Sequence, residues 1–142
     1  MNKIIRKIQY SEKVYRFDVE APLIAKSRKA GNFVIIRVDA NSERMPLTIA
    51  DADTEKGTIT LVVQKVGLSS TKLCNLNEGD EIHDVVGPLG NPTHIENFGT
   101  VLCAGGGVGV APMLPIIKAL KAAGNRVLSV IAGRSKDLVI ME

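Results

Sequence analysis

At 142 residues, with 45% hydrophobic and 23% charged side chains, the chain has the make-up of a soluble globular protein of one ordinary domain or two small ones. Its net charge of +3 is spread along the sequence and only 4% of residues are aromatic, which argues for solvated faces and against a nucleic-acid groove or a base-stacking surface. The two cysteines, Cys74 and Cys103, lack the spacing for zinc or an iron–sulfur cluster, no metal site is expected, and no apolar run or cleavage pattern marks a membrane span or a signal, so a cytoplasmic, reduced protein is expected.

The first two thirds read as short strands with turns. "NKIIRKIQY" and "KVYRFDVEA" alternate in character across "SE". "NFVIIRVDA" is rich in β-branched residues and follows Gly31, and "PLTIADAD" is a short run ending in acids. "GTITLVVQKV", residues 57–66, is the strongest strand pattern in the chain. "STKLCNLNEGD" predicts a short helix or turn, and "DEIHDVVGPLG" another strand, closed by Gly87-Pro88 and Gly90-Asn91-Pro92. Strands at this spacing, without a long helix, predict a small antiparallel barrel or sandwich.

The pattern changes at 96–99. "TVLCAG" is an apolar run of the kind found in buried parallel strands. After a glycine-rich loop, Val110, Met113, Leu114, Ile117 and Leu120 follow helical spacing, with Pro112 suited to the first turn and Gly124 as the stop. "RVLSVIAG" predicts a second buried strand, completing a βαβ unit with a right-handed crossover, and "SKDLVIME" the start of a further helix. The expected organisation is a barrel over residues 1–97 and the first βαβ part of a parallel α/β domain over 98–142.

The loop in "CAGGGVGVAP" is the loudest signal. A parallel strand that turns straight into a helix aims backbone N–H groups and the positive helix end outward, and glycine lets a phosphate come close. Gly105, Gly106, Gly107 and Gly109 therefore suit a nucleotide pyrophosphate or nicotinamide ribose. A tight turn with no ligand is the other reading. The spacing is neither the Walker pattern nor a clean G-x-G-x-x-G. Arg134, after Gly133, is either a 2′-phosphate partner favouring NADPH or a solvated strand-end residue. In "KVGLSSTKL", the hydroxyls near Gly67 either cap a helix or share its N–H groups with a phosphate. His83, His94, Cys74 and Cys103 read as ordinary structural residues, and Asp51 and Asp53 as a turn.

Taken together and in order, "RMPLT", "GLSST", "GPLGN", "AGGGVGVAP" and "AGRSKDL" resemble the ferredoxin–NADP⁺ reductase superfamily over essentially the whole chain. Within it they resemble the branch of dihydroorotate dehydrogenase electron-transfer subunits and of the small subunits of sulfide dehydrogenase or NADH-dependent ferredoxin:NADP⁺ oxidoreductase. The resemblance implies an FAD-binding Greek-key barrel followed by an NAD(P)-binding α/β domain. It implies an NAD(P)H-dependent flavin oxidoreductase that takes a hydride onto FAD and passes electrons to an iron–sulfur cluster or a larger catalytic subunit, as a heteromer. By it, Arg44, Pro46, Leu47 and Thr48 belong to the flavin motif, with Thr48 near the atom that takes the hydride. Val63 and Gln64 flank the ribityl chain, and Gly67, Ser69, Ser70 and Thr71 the pyrophosphate. Gly105, Gly106, Gly107, Gly109, Val110, Ala111 and Pro112 lie under NADP or NAD, with Gly133 and Arg134 beyond.

Three departures stand out. Met45 directly precedes Pro46, where the family carries Arg. Leu47 stands where an aromatic often covers the ring. "GLSST" is one residue longer than the usual form. Family members of this branch also continue into the rest of the α/β domain and a Cys-rich [2Fe-2S] segment, so the chain is expected to be part of a longer protein, with apolar sheet surface left bare. Two other functions fit the residues: a barrel module for subunit docking with a structural or empty flavin site, and a nucleotide-dependent regulator that binds NAD(P) without flavin.

Overall fold

The structure, a computed structural model, describes residues 2–142. Strands β1 (Asn2–Gln9), β2 (Val14–Glu20), β3 (Phe33–Arg37), β4 (Met45–Asp53) and β5 (Thr58–Gln64) come first, with helix α1 (Pro22–Ser27) between β2 and β3. Helix α2 (Leu68–Cys74), β6 (Glu81–Ile82) and β7 (Asp84–Leu89) follow. Then come β8 (Thr100–Gly106), a single 3₁₀ turn, α3 (Val110–Ala122) and β9 (Arg126–Ala132).

The first seven strands form one antiparallel sheet in the order β6-β1-β2-β5-β4-β3-β7. Its two outermost strands, β6 and β7, are separated in the chain only by His83. A flat sheet cannot satisfy that, so the sheet curls until its ends meet, and His83 N–H donates to the Val38 carbonyl across the join. The sequence expectation of one strand over "DEIHDVVGPLG" thus becomes two, each serving a different edge.

Alternation along the strands sets the barrel core. Ile4, Phe17, Val19, Val34, Ile36, Ile49, Ile59, Leu61 and Val63 point inward and are fully or almost fully buried. The central strand β5 is buried on both faces up to Val63. Its outward residue Val62 joins Val14 and Ala50 in a second cluster, against Val110 and Ala111 of α3 and Ile140 of the tail. Burying an aliphatic side chain contributes about 1.5–3 kcal/mol. An exposed ion pair contributes about 0–1 kcal/mol. This patch, more than the partly exposed Lys118–Asp51 pair at 2.8 Å, therefore holds the βαβ unit to the barrel.

The βαβ unit pairs β8 and β9 in parallel, Thr100 opposite Arg126 through Gly106 opposite Ala132. Helix α3 covers one face. Three expectations are corrected here. β8 and β9 are not buried strands: Leu102, Leu128 and Val130 stand 66%, 45% and 54% exposed on the other face. "SKDLVIME" begins no helix beyond a 3₁₀ turn at Lys136–Leu138, because the chain then runs extended to seat Ile140 in the second cluster. Helix α1 was not expected: only six residues long, it starts on Pro22 and is too short to display a helical period.

Candidate functional site

Two clefts adjoin at Gln64, one within the barrel and the other between the barrel and the βαβ unit. The first, of about 390 Å³, lies between the start of β4 and the loop that opens α2. Glu43, Met45, Pro46 and Leu47 form one wall, Val63 and Gln64 the floor, and Val66 to Ser70 the other wall. Strand register explains the division of labour in β4. Met45 and Leu47 lean on the barrel core, whereas Pro46, Thr48 and Ala50 take the opposite face, the one that meets α3 through Ala50. Thr48 is half-buried there and pairs with Phe33.

The second wall is rigid because Ser70 holds it. Its hydroxyl accepts from the N–H groups of Val66 at 3.0 Å and Gly67 at 2.9 Å, and donates to the Gly67 carbonyl at 3.1 Å. Of the two readings given to these hydroxyls, Ser70 thus takes the capping one and is turned into the protein. Ser69 lies on the cleft, whereas Thr71 lies one residue past its lining. The N–H groups of Leu68 and Ser69, in the first turn of α2, have no intrahelical partner. Arg44 is not brought into the cleft. It stands 56% exposed with a guanidinium nitrogen 3.8 Å from Asp84, whose carboxylate Arg37 already binds at 2.7 Å.

The second cleft, of about 660 Å³, lies under the glycine loop. Gly106, Gly107 and Val108 form one side, Ala132, Gly133 and Arg134 at the end of β9 another, and Ser11 to Val14 of the β1–β2 hairpin a third. Leu138 and Ile140 close the base. Gln64, at the end of β5, lines both clefts and marks where they adjoin. Val110, Ala111 and Pro112 begin α3 behind the loop, where Val110 and Ala111 are buried in the second cluster and serve packing.

The glycines of the loop separate by cause. A Cβ on Gly105 would stand 3.1 Å from the Met113 methyl, a flexible side-chain tip that would have to shift, so β8 and α3 pack closely there. Gly107 has φ +56°, a left-handed backbone. Gly133 would drive a Cβ to 2.9 Å from the Leu138 backbone. Gly106 and Gly109 have ordinary φ and no such neighbour, and nothing lies within 4 Å of a Cβ on Gly67 or Gly109. At these positions the missing side chain leaves room that the protein does not fill.

The two cysteines and the Asp51 and Asp53 carboxylates are structural. Burial pushes the Cys74 thiol above its usual pKa, against the opposing pull of Lys65 and Lys7, so it is a poor nucleophile. Cys103 is buried under the loop. The Asp53 carboxylate accepts from the N–H groups of Glu55 and Lys56 in a turn, while Asp51 instead anchors Lys118 of α3. Sequence reasoning missed Ser11 to Val14. The pairing of β2 with β5, ending at Val14 opposite Gln64, and the Lys65 N–H to Lys13 carbonyl bond carry that hairpin to the site, and no local pattern announces it.

A family model described as oxidoreductase FAD-binding domain matches residues 2–94. The dihydroorotate dehydrogenase B (NAD(+)) electron transfer subunit homolog of Thermotoga maritima is 48% identical over 141 residues, 99% of this chain and 50% of that protein. The dihydroorotate dehydrogenase B (NAD(+)) electron transfer subunit of Bacillus caldolyticus is 32% identical, over 93% of this chain and 53% of that one. A solved structure of NADH-dependent reduced ferredoxin-NADP oxidoreductase superposes with a TM-score of 0.96 at 47% identity, covering 100% of this chain and 51% of the other. Phthalate dioxygenase reductase, 23% identical with a TM-score of 0.79, shares the fold. The chain thus spans about half the length of the relatives it matches. The expected architecture, a ferredoxin reductase-like barrel followed by the start of a nucleotide-binding layer, is the one found.

The first cleft fits a flavin nucleotide on its own geometry. Its lining is mostly apolar, one wall offers the unpaired N–H groups of Leu68 and Ser69, and Gly67 leaves open the space that a larger residue would occupy.

Proposed function

Because the chain belongs to the family of oxidoreductase FAD-binding domains, we propose that it is the flavin-carrying, NAD(P)H-oxidising part of an electron-transfer subunit that serves a larger catalytic partner. The observation that carries this reading is Gln64, the residue common to the β4–α2 cleft and the glycine-loop cleft. A hydride moves only between atoms held in contact, and two clefts that adjoin at one residue bring the ends of their occupants to a common border. In this reading residues 1–97 are the flavin-binding unit and 98–142 begin the NAD(P)-binding one.

When bound, FAD supplies the hydride acceptance and the release of single electrons, so no acid–base pair is asked of the protein. The chain's own residues bind and orient. Pro46 and Leu47 give an aliphatic contact for the ring, and Thr48 supplies a hydroxyl at its reacting edge. Val63 and Gln64 flank the ribityl chain. Ser70 keeps the 66–70 loop in shape so that the N–H groups of Leu68 and Ser69, with the Ser69 hydroxyl, would meet the pyrophosphate, while Thr71 stays one residue past the cleft lining. Arg44 acts at most at the rim, through Asp84. Gly106, Gly107 and Gly109 let the NADP or NAD backbone approach, and Arg134 reaches toward its phosphates. Val110, Ala111 and Pro112 hold the helix start under the loop. Among the described residues no group of three or more His, Cys or acidic side chains could hold a metal ion, so an iron–sulfur acceptor of the electrons would need ligands other than these.

The test is reconstitution with FAD. The expected result is a yellow protein with quenched flavin fluorescence that bleaches anaerobically on NADPH or NADH. A protein that stays colourless in excess FAD sinks the reading and favours the docking module.

A further inference from the structure

The glycine-loop cleft has a wall that no sequence motif assigns: the β1–β2 hairpin. It is fixed in place. Tyr10 N–H donates to the Val14 carbonyl at 2.8 Å, Lys65 N–H donates to the Lys13 carbonyl at 2.7 Å, and Val14 is buried in the cluster that joins the two units. Lys13 is exposed at the hairpin's tip on the barrel side of the cleft, and Arg134 is exposed on the βαβ side. Among the described residues neither lies within ion-pair distance of a carboxylate. The cleft therefore presents two free cations against one carboxylate, Glu12, above a base containing Leu138 and Ile140. Gly106 on the facing wall has no packing or backbone reason to lack a side chain. An apolar base, open backbone and cations from both units suit a ligand with a flat ring and several phosphate charges.

We propose that the β1–β2 hairpin is a third wall of the nicotinamide-nucleotide site and that Lys13, with Arg134 from the other unit, binds the dinucleotide's phosphates. This rests on reading the glycine-loop cleft as the NAD(P) site. It adds that the barrel itself grips the nucleotide. Glu12 opposes the same phosphates and moderates affinity.

The test is calorimetric titration of the purified protein with NADP⁺ and with NAD⁺, oxidised forms that bind without reacting, while FAD content is followed separately by absorbance. Lys13→Glu is expected to weaken both nucleotides by about tenfold or more, Lys13→Ala by less, and Lys13→Arg to restore wild-type binding. Glu12→Gln is expected to tighten it. Added salt should weaken wild-type binding more steeply than binding to Lys13→Ala, a difference that a merely structural lysine would not produce. Lys29→Glu, on a separate cleft, is the control and should bind as wild type. Wild-type affinity and salt slope in Lys13→Glu overturn the proposal and leave the assignment of the cleft standing. A wild-type protein that takes up FAD but neither nucleotide overturns both. Binding that depends on Lys13 in a protein without FAD supports this proposal and removes the flavin reading instead.

Discussion

Asn125 concentrates more hydrogen bonds than any other side chain in the βαβ unit. Its Oδ1 accepts from the N–H groups of Phe98 at 2.6 Å and Gly99 at 3.1 Å, and its Nδ2 donates to the carbonyls of Glu96 at 2.8 Å and Leu120 at 2.9 Å. The residue is 6% exposed, so water reaches few of these partners while the side chain is in place. It ties the irregular segment leading out of the barrel to the α3–β9 turn, where Gly124 adopts φ +94°. Asn125→Ala leaves several backbone groups without their bond, at about 1–3 kcal/mol for each that stays dry. Part of that is recovered by water and by Asn97, whose Oδ1 also accepts from Gly99 N–H. We expect a net loss of about 2–4 kcal/mol in urea unfolding, together with new protease cuts at 92–99. A loss under about 1 kcal/mol would show that the segment is held by its neighbours instead.

At the scale of elements, the β8–α3 turn and the end of β9 test whether a glycine serves the fold or the ligand. A methyl at Gly133 would sit 2.9 Å from the Leu138 backbone, which cannot swing aside as a side-chain tip can. A methyl at Gly106 would meet only the Ala132 carbonyl at 3.8 Å, an ordinary contact. Gly133→Ala is therefore expected to lower stability by about 1–3 kcal/mol. Gly106→Ala should unfold as wild type and lose nucleotide affinity, measured by calorimetry with NADP⁺. Equal destabilisation by the two would mean that Gly106 serves the turn alone. The glycine motif, Pro112 in the first turn and the Gly124 stop were legible because they are local chemistry. So was the β5 pattern, whose inward residues Ile59, Leu61 and Val63 recur at period two. The split at His83 was not, since it follows from which edges β6 and β7 join. Nor was the fate of "SKDLVIME": its apolar residues suit a helix face, but Ile140 is taken by the cluster at the seam. In the site, the flavin motif, "GLSST" and the glycine loop were visible as sequence, and convergence was inferable from resemblance. The inward turn of Ser70, the outward stance of Arg44 and the arrival of Lys13 depend on pairings between segments far apart in the chain.

For the whole molecule, the two sheets meet water differently. The barrel closes on itself, and its large apolar side chains are mostly inside. The parallel pair has one helix and therefore one covered face. On the other, Leu102 stands opposite Leu128 and Ala104 opposite Val130, an exposed apolar stripe along paired strands. Phe98, 53% exposed, lies just before β8. Parallel sheets usually have both faces covered, and a continuous apolar patch on a free surface drives association. The chain is thus expected to self-associate as its concentration rises, visible in sedimentation velocity as a shift toward larger species. Leu102→Ser with Val130→Thr should suppress that shift. Because both side chains are already largely in water, the same pair should change unfolding stability by no more than about 0.5 kcal/mol per site. The β4–α2 cleft proposed for FAD is formed by the barrel, so FAD uptake should be untouched, and a variant that loses FAD together with self-association would place the stripe inside the functional site. A chain that stays monomeric at high concentration without the substitutions would mean that two strands' width of apolar surface is too narrow to hold two copies together.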